Sequence, residues 1–136
     1  MTSRVVAVPP RSGVSVPEVV VASNLFGDIL SDLGSALAGS MGIAASANID
    51  PERRTPSMFE PVHGSAPDIA GQGIANPIGT ILSAAMLLRH SLLLDTEARR
   101  IERAVTRAIA DGLRTADLGG GMSTAAMGAA IRERME

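Results

Sequence analysis

The 136-residue sequence contains no cysteine, tryptophan, tyrosine or lysine. All twelve of its basic residues other than histidine are therefore arginines. The absence of cysteine excludes disulfide bonds and thiolate metal sites. Only two phenylalanines are present, which leaves almost no aromatic surface on which nucleic-acid bases could stack. The net charge of −2 also gives no basic surface for a phosphate backbone. We therefore expect no nucleic-acid partner.

Long apolar runs are missing as well. No run approaches the roughly 18 residues of a membrane span, and the N-terminal residues lack the continuous apolar segment of a signal peptide. The expected location is therefore the cytoplasm, with no membrane partner. Apolar residues make up 46% of the chain and charged residues 19%, which is typical of one globular domain with a core of its own.

Two segments predict strands and four predict helices. The predicted strands are residues 18–23 and 57–60. The first predicted helix starts near Asn24 or Asp28, and Asn76, Asp95 and Ser123 are predicted to cap the other three. Residues 42–56 are predicted to be loop. Residues 1–17 are predicted to be a leader without a helix or strand, because the prolines in this segment break both. Two strands are too few for a self-sufficient sheet, so the pattern predicts an α/β chain with an incomplete sheet.

The predicted helices differ in how their apolar residues are distributed. In the first, one helical stripe is formed by Ile29, Leu33, Ala36 and Leu37. The second, over residues 78–88, is apolar nearly all round, which predicts burial on most sides or a subunit contact. In the third, the predicted inner stripe consists of Ala98, Ile101, Val105, Ala108 and Ile109, and the predicted ion pairs are Asp95 with Arg99 and Arg107 with Asp111.

Asp28 and Asp32 stand four residues apart on the first predicted helix, so their carboxylates project from the same face. Carboxylate oxygens are the ligands that Mg²⁺ or Mn²⁺ prefers, and a cation between them would relieve their repulsion. Acidic residues near the start of a helix also interact favourably with its macrodipole. The spacing alone favours this second interpretation.

The stretch "SMFEPVHGSAPDIAGQGIANP", residues 57–77, predicts neither a regular helix nor a strand. It offers the backbone amides of Gly64, Ser65 and Ala66, the imidazole of His63 and the carboxylate of Asp68. Small residues let a ligand approach the main chain, loop amides can hold an anion, and a carboxylate can accept hydrogen bonds from a ribose diol. A surface Ω-loop without a ligand explains the same composition, and no GxGxxG or Walker pattern decides between them.

Two motifs closely resemble the β-decarboxylating dehydrogenases, the family of isopropylmalate, isocitrate, tartrate and D-malate dehydrogenases. They are "NLFGDILSD" at residues 24–32 and "FEPVHGSAPDIAGQGIANP" at residues 59–77, and the resemblance covers residues 19–131. It implies the C-terminal part of the isopropylmalate-dehydrogenase-like fold over residues 18–136, after the leader of residues 1–17. The stretches "SANIDPER" and "DLGGGMST" look most like the tartrate and D-malate branch.

The resemblance also implies roles for particular residues. Asp28 and Asp32 match the positions that bind Mg²⁺ or Mn²⁺, which in the family also holds the 2-hydroxy acid substrate. The positions that match the NAD-binding segment are Glu60, His63, Gly64, Ser65, Ala66, Asp68, Ile69 and Asn76. Within that segment Asp68 would accept from the ribose hydroxyls, and Asn76 would meet the adenine. The Asp68-Ile69 pair favours NAD over NADP, and family members are usually homodimers.

Several family features are absent from this chain. The family's catalytic tyrosine and lysine have no counterpart, nor does the arginine cluster that holds substrate carboxylates, so no catalytic residue is assigned. We therefore expect a truncated part of an NAD-dependent tartrate or D-malate dehydrogenase that is inactive alone. Two alternatives stay open, namely an isopropylmalate dehydrogenase and a non-catalytic remnant that serves as a nucleotide-binding or interaction module.

Overall fold

The computed structural model describes residues 3–6 and 20–135, with side chains for residues 20–135. Within those residues the strands are β1 (Ser3–Val6), β2 (Val20–Ser23), β3 (Ala45–Asn48) and β4 (Met58–Pro61). The helices are α1 (Asn24–Ala38), α2 (Ile78–His90), α3 (Asp95–Ala110) and α4 (Thr124–Glu133). Three short 3₁₀ turns occupy Met41–Ile43, Pro67–Ile69 and Ala116–Leu118. Contacts divide the chain into two units, Met1–Ala38 and Gly39–Glu136.

The first unit contains one strand that the sequence did not predict. β1 pairs with β2 in antiparallel fashion, with Ser3 opposite Ser23 and Val6 opposite Val20. The expectation of no regular element in residues 1–17 was therefore wrong for Ser3–Val6. The reason is that the prolines come after this strand, while its own β-branched valines favour an extended backbone. The predicted strand at residues 18–23 is confirmed from Val20 onward, and residues 18–19 lie outside the described residues.

α1 follows β2 directly and ends at Ala38, where Gly39 takes up a positive φ of 119°. The predicted helix is confirmed, and the residues of its apolar stripe, such as Ile29, Leu33 and Leu37, are exposed. The buried positions of α1 are instead the small residues Gly27 and Ser35. The physical reason is length: α1 contacts β1 and β2, and two strands of four residues cannot cover the whole apolar face of a 15-residue helix.

The second unit begins with an antiparallel pair of strands. β3 pairs with β4, with Ala45 opposite Pro61 and Asn48 opposite Met58. The predicted loop over residues 42–56 was wrong here, since it includes β3 and most of the turn Met41–Ile43. The sequence "ASAN" has little strand propensity, and pairing with β4 makes it extended. β4 itself lies one residue beyond the predicted strand at residues 57–60.

The core of the second unit lies among its helices, where α2 packs on α3, β3 and β4, and α3 packs on α4. Its buried members are Ile78, Ala104, Val105, Ala108, Met127 and Ile131. The predicted inner stripe of α3 is confirmed, because Ala98, Val105 and Ala108 are buried and Ile101 and Ile109 are half-buried. α2 is less completely covered than its composition predicted, since Leu87 is 39% exposed. None of the described helices is both long and apolar enough to cross a membrane.

Charged side chains join the helices of the second unit. Asp95 was expected to cap α3, but it is the first residue of α3 and its carboxylate accepts hydrogen bonds from Arg89 and Arg99. The hydrogen bond from Arg89 is the main reason that the pKa of Asp95 lies below its usual value. The Asp95–Arg99 pair is thus confirmed. The predicted Arg107–Asp111 pair is not found, because Asp111 binds Arg134 at 2.8 Å instead.

Candidate functional site

Residues 60–76 include the last two residues of β4 and lead towards α2, and they are called the nucleotide loop below only because they resemble the family's NAD-binding segment. Hydrogen bonds hold both ends of this loop. Near its start, the amide of Val62 donates to the carbonyl of Ala44 at 3.1 Å, and Ser46 Oγ donates to the carbonyl of Glu60 at 3.0 Å. Near its end, the amide of Thr124 in α4 donates to the carbonyl of Gly73 at 2.8 Å. The nucleotide loop is therefore anchored on the strand pair at one end and on α4 at the other.

The tip of the nucleotide loop presents free backbone donors. Gly64, Ser65 and Ala66 are exposed, and within the described chain their N–H groups make no hydrogen bond to protein. Ala66 has φ 43° and ψ 63°, a left-handed conformation that turns the chain into the 3₁₀ turn Pro67–Ile69. Its methyl side chain leaves the main chain accessible. Three successive unpaired N–H groups can hold an anion such as a phosphate.

His63 lies half-buried beside this tip. Its Nδ1 is 3.0 Å from the carbonyl oxygen of Gly64, a distance that suits donation from Nδ1–H. Its Nε2 is buried and has no hydrogen-bond partner among the described residues. A buried polar atom without a partner is uncommon in folded proteins and calls for an explanation. A ligand that donates to Nε2 would supply one.

The carboxylate of Asp68 is exposed at the 3₁₀ turn, and no hydrogen bond between described residues uses it. Only its backbone carbonyl is bonded, to Gln72 Nε2 at 2.8 Å. The next residue, Ile69, is half-buried and its amide donates to the carbonyl of Ala66 at 3.1 Å. The turn thus holds the Asp68 carboxylate outward, where it can accept from a diol. Glu60 also has an exposed side chain, in β4.

Asn76 is only 7% exposed, and both the oxygen and the nitrogen of its side chain are hydrogen-bonded. Its Oδ1 accepts a 3.0 Å hydrogen bond from the amide of Ile78, which confirms its predicted role at the start of α2, although the helix starts at Ile78. Its Nδ2 donates to Asp117 Oδ2 at 3.0 Å. The predicted contact of Asn76 with adenine stays a prediction.

Asp117 is a residue that sequence reasoning missed. Its carboxylate accepts hydrogen bonds from Asn76 and from the hydroxyls of Ser40 and Thr115. Removal from water raises the pKa of the Asp117 carboxyl, but these three hydrogen bonds outweigh it, so the pKa lies below its usual value. The "DLGGGMST" stretch that contains Asp117 was noticeable in the sequence, although nothing in it indicated which side chains it would meet.

Asp28 and Asp32 lie one turn apart on α1, as their spacing predicted, with Asp28 half-buried and Asp32 exposed. No group of three or more histidine, aspartate or glutamate side chains that could hold a metal occurs in the described residues. Mg²⁺ requires six oxygen ligands, some of which are usually water. Two carboxylates would fill only part of such a shell, so a divalent metal held by Asp28 and Asp32 would need further ligands from elsewhere.

A polar cleft of about 210 Å³ lies apart from the nucleotide loop, and it is lined by Asp50, Arg53, Thr55, Pro56, Ser57, His90 and Ser91. Arg53 donates from Nη2 to the carbonyls of His90 and Ser91, at the C-terminal end of α2. The amide of Thr55, and more weakly those of Glu52 and Arg54, donate to the Asp50 carboxylate and hold its pKa below the usual value. The side chains of Asp50, Arg53, Thr55 and Ser57 form hydrogen bonds with residues of this segment or with the end of α2, as in a structural turn.

Comparison with known proteins gives consistent matches. The sequence profile of the family described as isocitrate/isopropylmalate dehydrogenase matches residues 6–131. The 3-isopropylmalate dehydrogenase of Anaeromyxobacter dehalogenans is 62% identical over 118 residues, which cover 87% of this chain and 33% of that protein. The tartrate dehydrogenase/decarboxylase of Pseudomonas putida is 53% identical over 139 aligned residues, which cover 99% of this chain and 37% of that protein. A crystal structure of isocitrate dehydrogenase from Methylococcus capsulatus matches with a TM-score of 0.75 and 52% identity, over 82% of this chain and 33% of that chain.

These matches refine two expectations. The profile match begins at residue 6, upstream of the stretch 19–131 that carried the resemblance, while the division between residues 17 and 18 stays a prediction. The α/β fold of the isopropylmalate-dehydrogenase type is confirmed by the structural match. The chain spans about a third of the length of the curated relatives that it matches. On the family profile, the sequence identities and the shared fold, this chain belongs to the isocitrate/isopropylmalate dehydrogenase family.

Proposed function

We propose that this chain carries the NAD-binding loop and part of the divalent-metal site of a dehydrogenase that oxidises and decarboxylates a 2-hydroxy acid such as tartrate or D-malate. The observation that carries the proposal is the tip of the nucleotide loop. There, three unpaired backbone N–H groups, at Gly64, Ser65 and Ala66, stand near an exposed and unbonded carboxylate, that of Asp68. Amide donors for phosphate and a carboxylate acceptor for a ribose diol are the groups that a dinucleotide requires.

In this proposal each group of the loop has a defined task. The N–H groups at Gly64–Ala66 donate to a phosphate, and the Asp68 carboxylate accepts from the ribose hydroxyls. The unpaired Nε2 of His63 accepts a hydrogen bond from the nucleotide, which satisfies this buried nitrogen. Bound NAD supplies the acceptor for a hydride. Because the Asp68 carboxylate would repel the 2′-phosphate of NADP, the loop prefers NAD.

Asp28 and Asp32 hold part of the metal site through their carboxylate oxygens. A Mg²⁺ or Mn²⁺ ion supplies Lewis-acid polarisation of the substrate oxygen when it is bound. Because this chain has no tyrosine or lysine, the family's acid–base pair must come from another segment or another chain. We therefore expect no turnover by this chain alone. A cytoplasmic homodimer completes the proposal, and sedimentation of the purified protein tests the dimer.

A calorimetric titration of the purified chain with NAD, and separately with NADP, tests the proposal. We expect NAD to bind at least about tenfold more tightly than NADP, which corresponds to about 1.4 kcal/mol. Asp68→Ser serves as a matched variant, since it removes the repulsive charge without adding bulk. It should reduce the difference between the dissociation constants of NAD and NADP. If neither nucleotide binds the wild-type chain, the loop does not form an NAD site by itself and the proposal fails for this chain.

An isopropylmalate dehydrogenase is the second candidate, and one observation favours it. The relative named 3-isopropylmalate dehydrogenase is 62% identical to this chain, whereas the one named tartrate dehydrogenase/decarboxylase is 53% identical but extends over 99% of it. NADH production with tartrate, D-malate and 3-isopropylmalate as parallel substrates separates the candidates once the acid–base segment is supplied. NAD binding without any Mn²⁺ binding would instead favour a nucleotide-binding module that has lost its chemistry.

A further inference from the structure

The carboxylate of Asp117 collects hydrogen bonds from three separate parts of the second unit. Asn76 Nδ2 donates to Oδ2 at 3.0 Å, the hydroxyl of Ser40 donates to the same oxygen, and the hydroxyl of Thr115 donates to Oδ1. Ser40 and Asn76 are 77 and 41 residues distant from Asp117 in sequence. One ionised side chain therefore joins the segments around Ser40 and Asn76 to its own turn.

Two of those donors belong to the supports of the nucleotide loop. Ser40 Oγ accepts from the amide of Gly42 at 2.9 Å and so caps the turn Met41–Ile43, which leads into β3. β3 pairs with β4, and the loop starts from β4. At the other end of the loop, Asn76 accepts from the amide of Ile78 and so fixes the start of α2. Asp117 thus connects the structure that precedes the loop with the residue that ends it.

Gly42 shows how closely these segments approach one another. A Cβ built on Gly42 would lie 2.6 Å from Asp117 Oδ2 and 2.7 Å from the Cβ of Asn76, distances that real Cβ atoms do not show. Only glycine allows this approach. Asp117 is itself exposed, but its donors Asn76 and Thr115 are buried, so removal of the carboxylate leaves two buried donors without this acceptor.

We propose that Asp117 is a positioning residue for the nucleotide loop, which its carboxylate holds in one conformation by joining Ser40 to Asn76. Asp117 does not touch the nucleotide in this proposal and acts through Asn76 and the turn Met41–Ile43. Its consequence for NAD rests on the proposed function. With both ends of the loop fixed, the N–H groups of Gly64–Ala66 are ordered before a ligand arrives, so binding costs less conformational entropy.

Three variants of the full chain test this inference. Asp117→Ala removes every acceptor, whereas Asp117→Asn keeps one oxygen for Asn76 and Ser40 and can donate from its amide to the hydroxyl of Thr115. Arg89→Gln is the matched control, because it breaks ion pairs between α2 and α3 without touching the nucleotide loop. Hydrogen exchange of loop peptides and the dissociation constant of NAD are measured for each variant, at a temperature where all are folded.

We expect Asp117→Ala to speed exchange of the amides of Ile69, Ala70 and Gln72 and to weaken NAD binding, each about tenfold, in keeping with the cost of buried groups left without partners. Asp117→Asn should recover part of both losses, and Arg89→Gln should change neither. If Asp117→Ala does not fold, Asp117→Asn is compared with Arg89→Gln instead. The positioning role then requires faster loop exchange and weaker NAD binding in Asp117→Asn than in Arg89→Gln.

Each contrary result has a distinct meaning. Loop exchange that is unchanged by the Asp117 substitutions, or raised equally by Arg89→Gln, overturns the positioning role. Faster loop exchange with unchanged NAD affinity overturns the link between positioning and binding. Faster loop exchange in a chain whose wild type binds no NAD supports the positioning role and contradicts the proposed function instead.

Discussion

The guanidinium of Arg89 holds the carboxylate of Glu102 through two hydrogen bonds, of 2.6 Å from Nη1 and 2.8 Å from Nη2. Arg89 also donates to Asp95 at 2.9 Å. The hydrogen bonds to Glu102 and then to Asp95 raise the pKa of the Arg89 guanidinium above its usual value. One side chain from the last turn of α2 thus joins that helix to two carboxylates of α3.

Arg89→Gln should therefore lower the free energy of unfolding, by about 1 kcal/mol, the upper range for a partly exposed ion pair with good geometry. Urea unfolding measures this loss, and it should shrink in high salt because exposed charges are screened. Arg103→Gln on the exposed face of α3 is the control and should be nearly neutral. Equal effects of the two substitutions would mean that the geometry at Arg89 contributes nothing special.

Gly79→Ala should destabilise the chain by about 1–3 kcal/mol, because overpacking forces the backbone to shift. A Cβ on Gly79 would lie 2.9 Å from the carbonyl oxygen of Ala44 and 3.1 Å from that of Gly42, and backbone atoms cannot swing aside. Gly128→Ala in α4 is the matched control, since its Cβ would meet nothing within 4 Å and alanine favours a helix. Thermal melts should show a lower melting temperature for Gly79→Ala and a higher one for Gly128→Ala. A raised melting temperature of Gly79→Ala would contradict the close packing of α2 on Ala44.

Stability should depend on pH through Asp117. The folded-state pKa of its carboxyl is lowered, so its contribution is present above the unfolded value of about 3.9 and is lost as the pH falls through the folded value. Unfolding free energies of the wild type and of Asp117→Asn should differ by a constant amount between about pH 6 and 8 and converge below about pH 4. A difference that persists unchanged at about pH 3 would show that Asp117 contributes by shape and not by charge.

The helices of the second unit were predictable because their signals are local. The apolar spacing of α3 alone predicted that Ala98, Val105 and Ala108 face the core, and they are buried. Ser123 was predictable as the cap of α4 and accepts from the amide of Ala126 at 3.2 Å. Such signals lie within one or two turns of chain, so their physics is contained in the sequence window itself.

Features that depend on distant partners could not be predicted in this way. The strand Ala45–Asn48 has little propensity of its own and forms by pairing with β4. Aspartate commonly caps helices, but the carboxylate of Asp95 accepts a hydrogen bond from Arg89 of another helix instead. Asp117 looked like any loop acid, since its donors Ser40 and Asn76 are remote in sequence. Motif resemblance indicated the residues of the nucleotide loop, but it gave no account of what supports them.

Asp68→Lys should weaken NAD binding by about tenfold or more, because an acceptor for the ribose diol is replaced by a cation, and the loss of a charged hydrogen bond costs about 1.5–3 kcal/mol. The same substitution should improve NADP binding relative to NAD, since a lysine attracts the 2′-phosphate. Glu97→Lys, an exposed acid on α3, makes the same change of net charge away from the loop and is the control. Calorimetric titrations in which both variants bind NAD equally would remove Asp68 from the proposed site.

Asp32→Asn should weaken Mn²⁺ binding by about tenfold or more, because affinity for a hard cation depends on the number of charged oxygen ligands. The side chain is exposed at the middle of α1, so replacement by its uncharged isostere should leave the fold intact. An interaction with the helix dipole does not explain these acids, because neither lies in the first turn of α1, and the remaining alternative of a solvated surface acid predicts no change in Mn²⁺ affinity. Mn²⁺ titration followed by electron paramagnetic resonance, with Glu97→Gln as the control, separates the two. Loss of metal binding would assign Asp32 to the metal site, whereas unchanged Mn²⁺ affinity would leave this aspartate as a solvated surface acid.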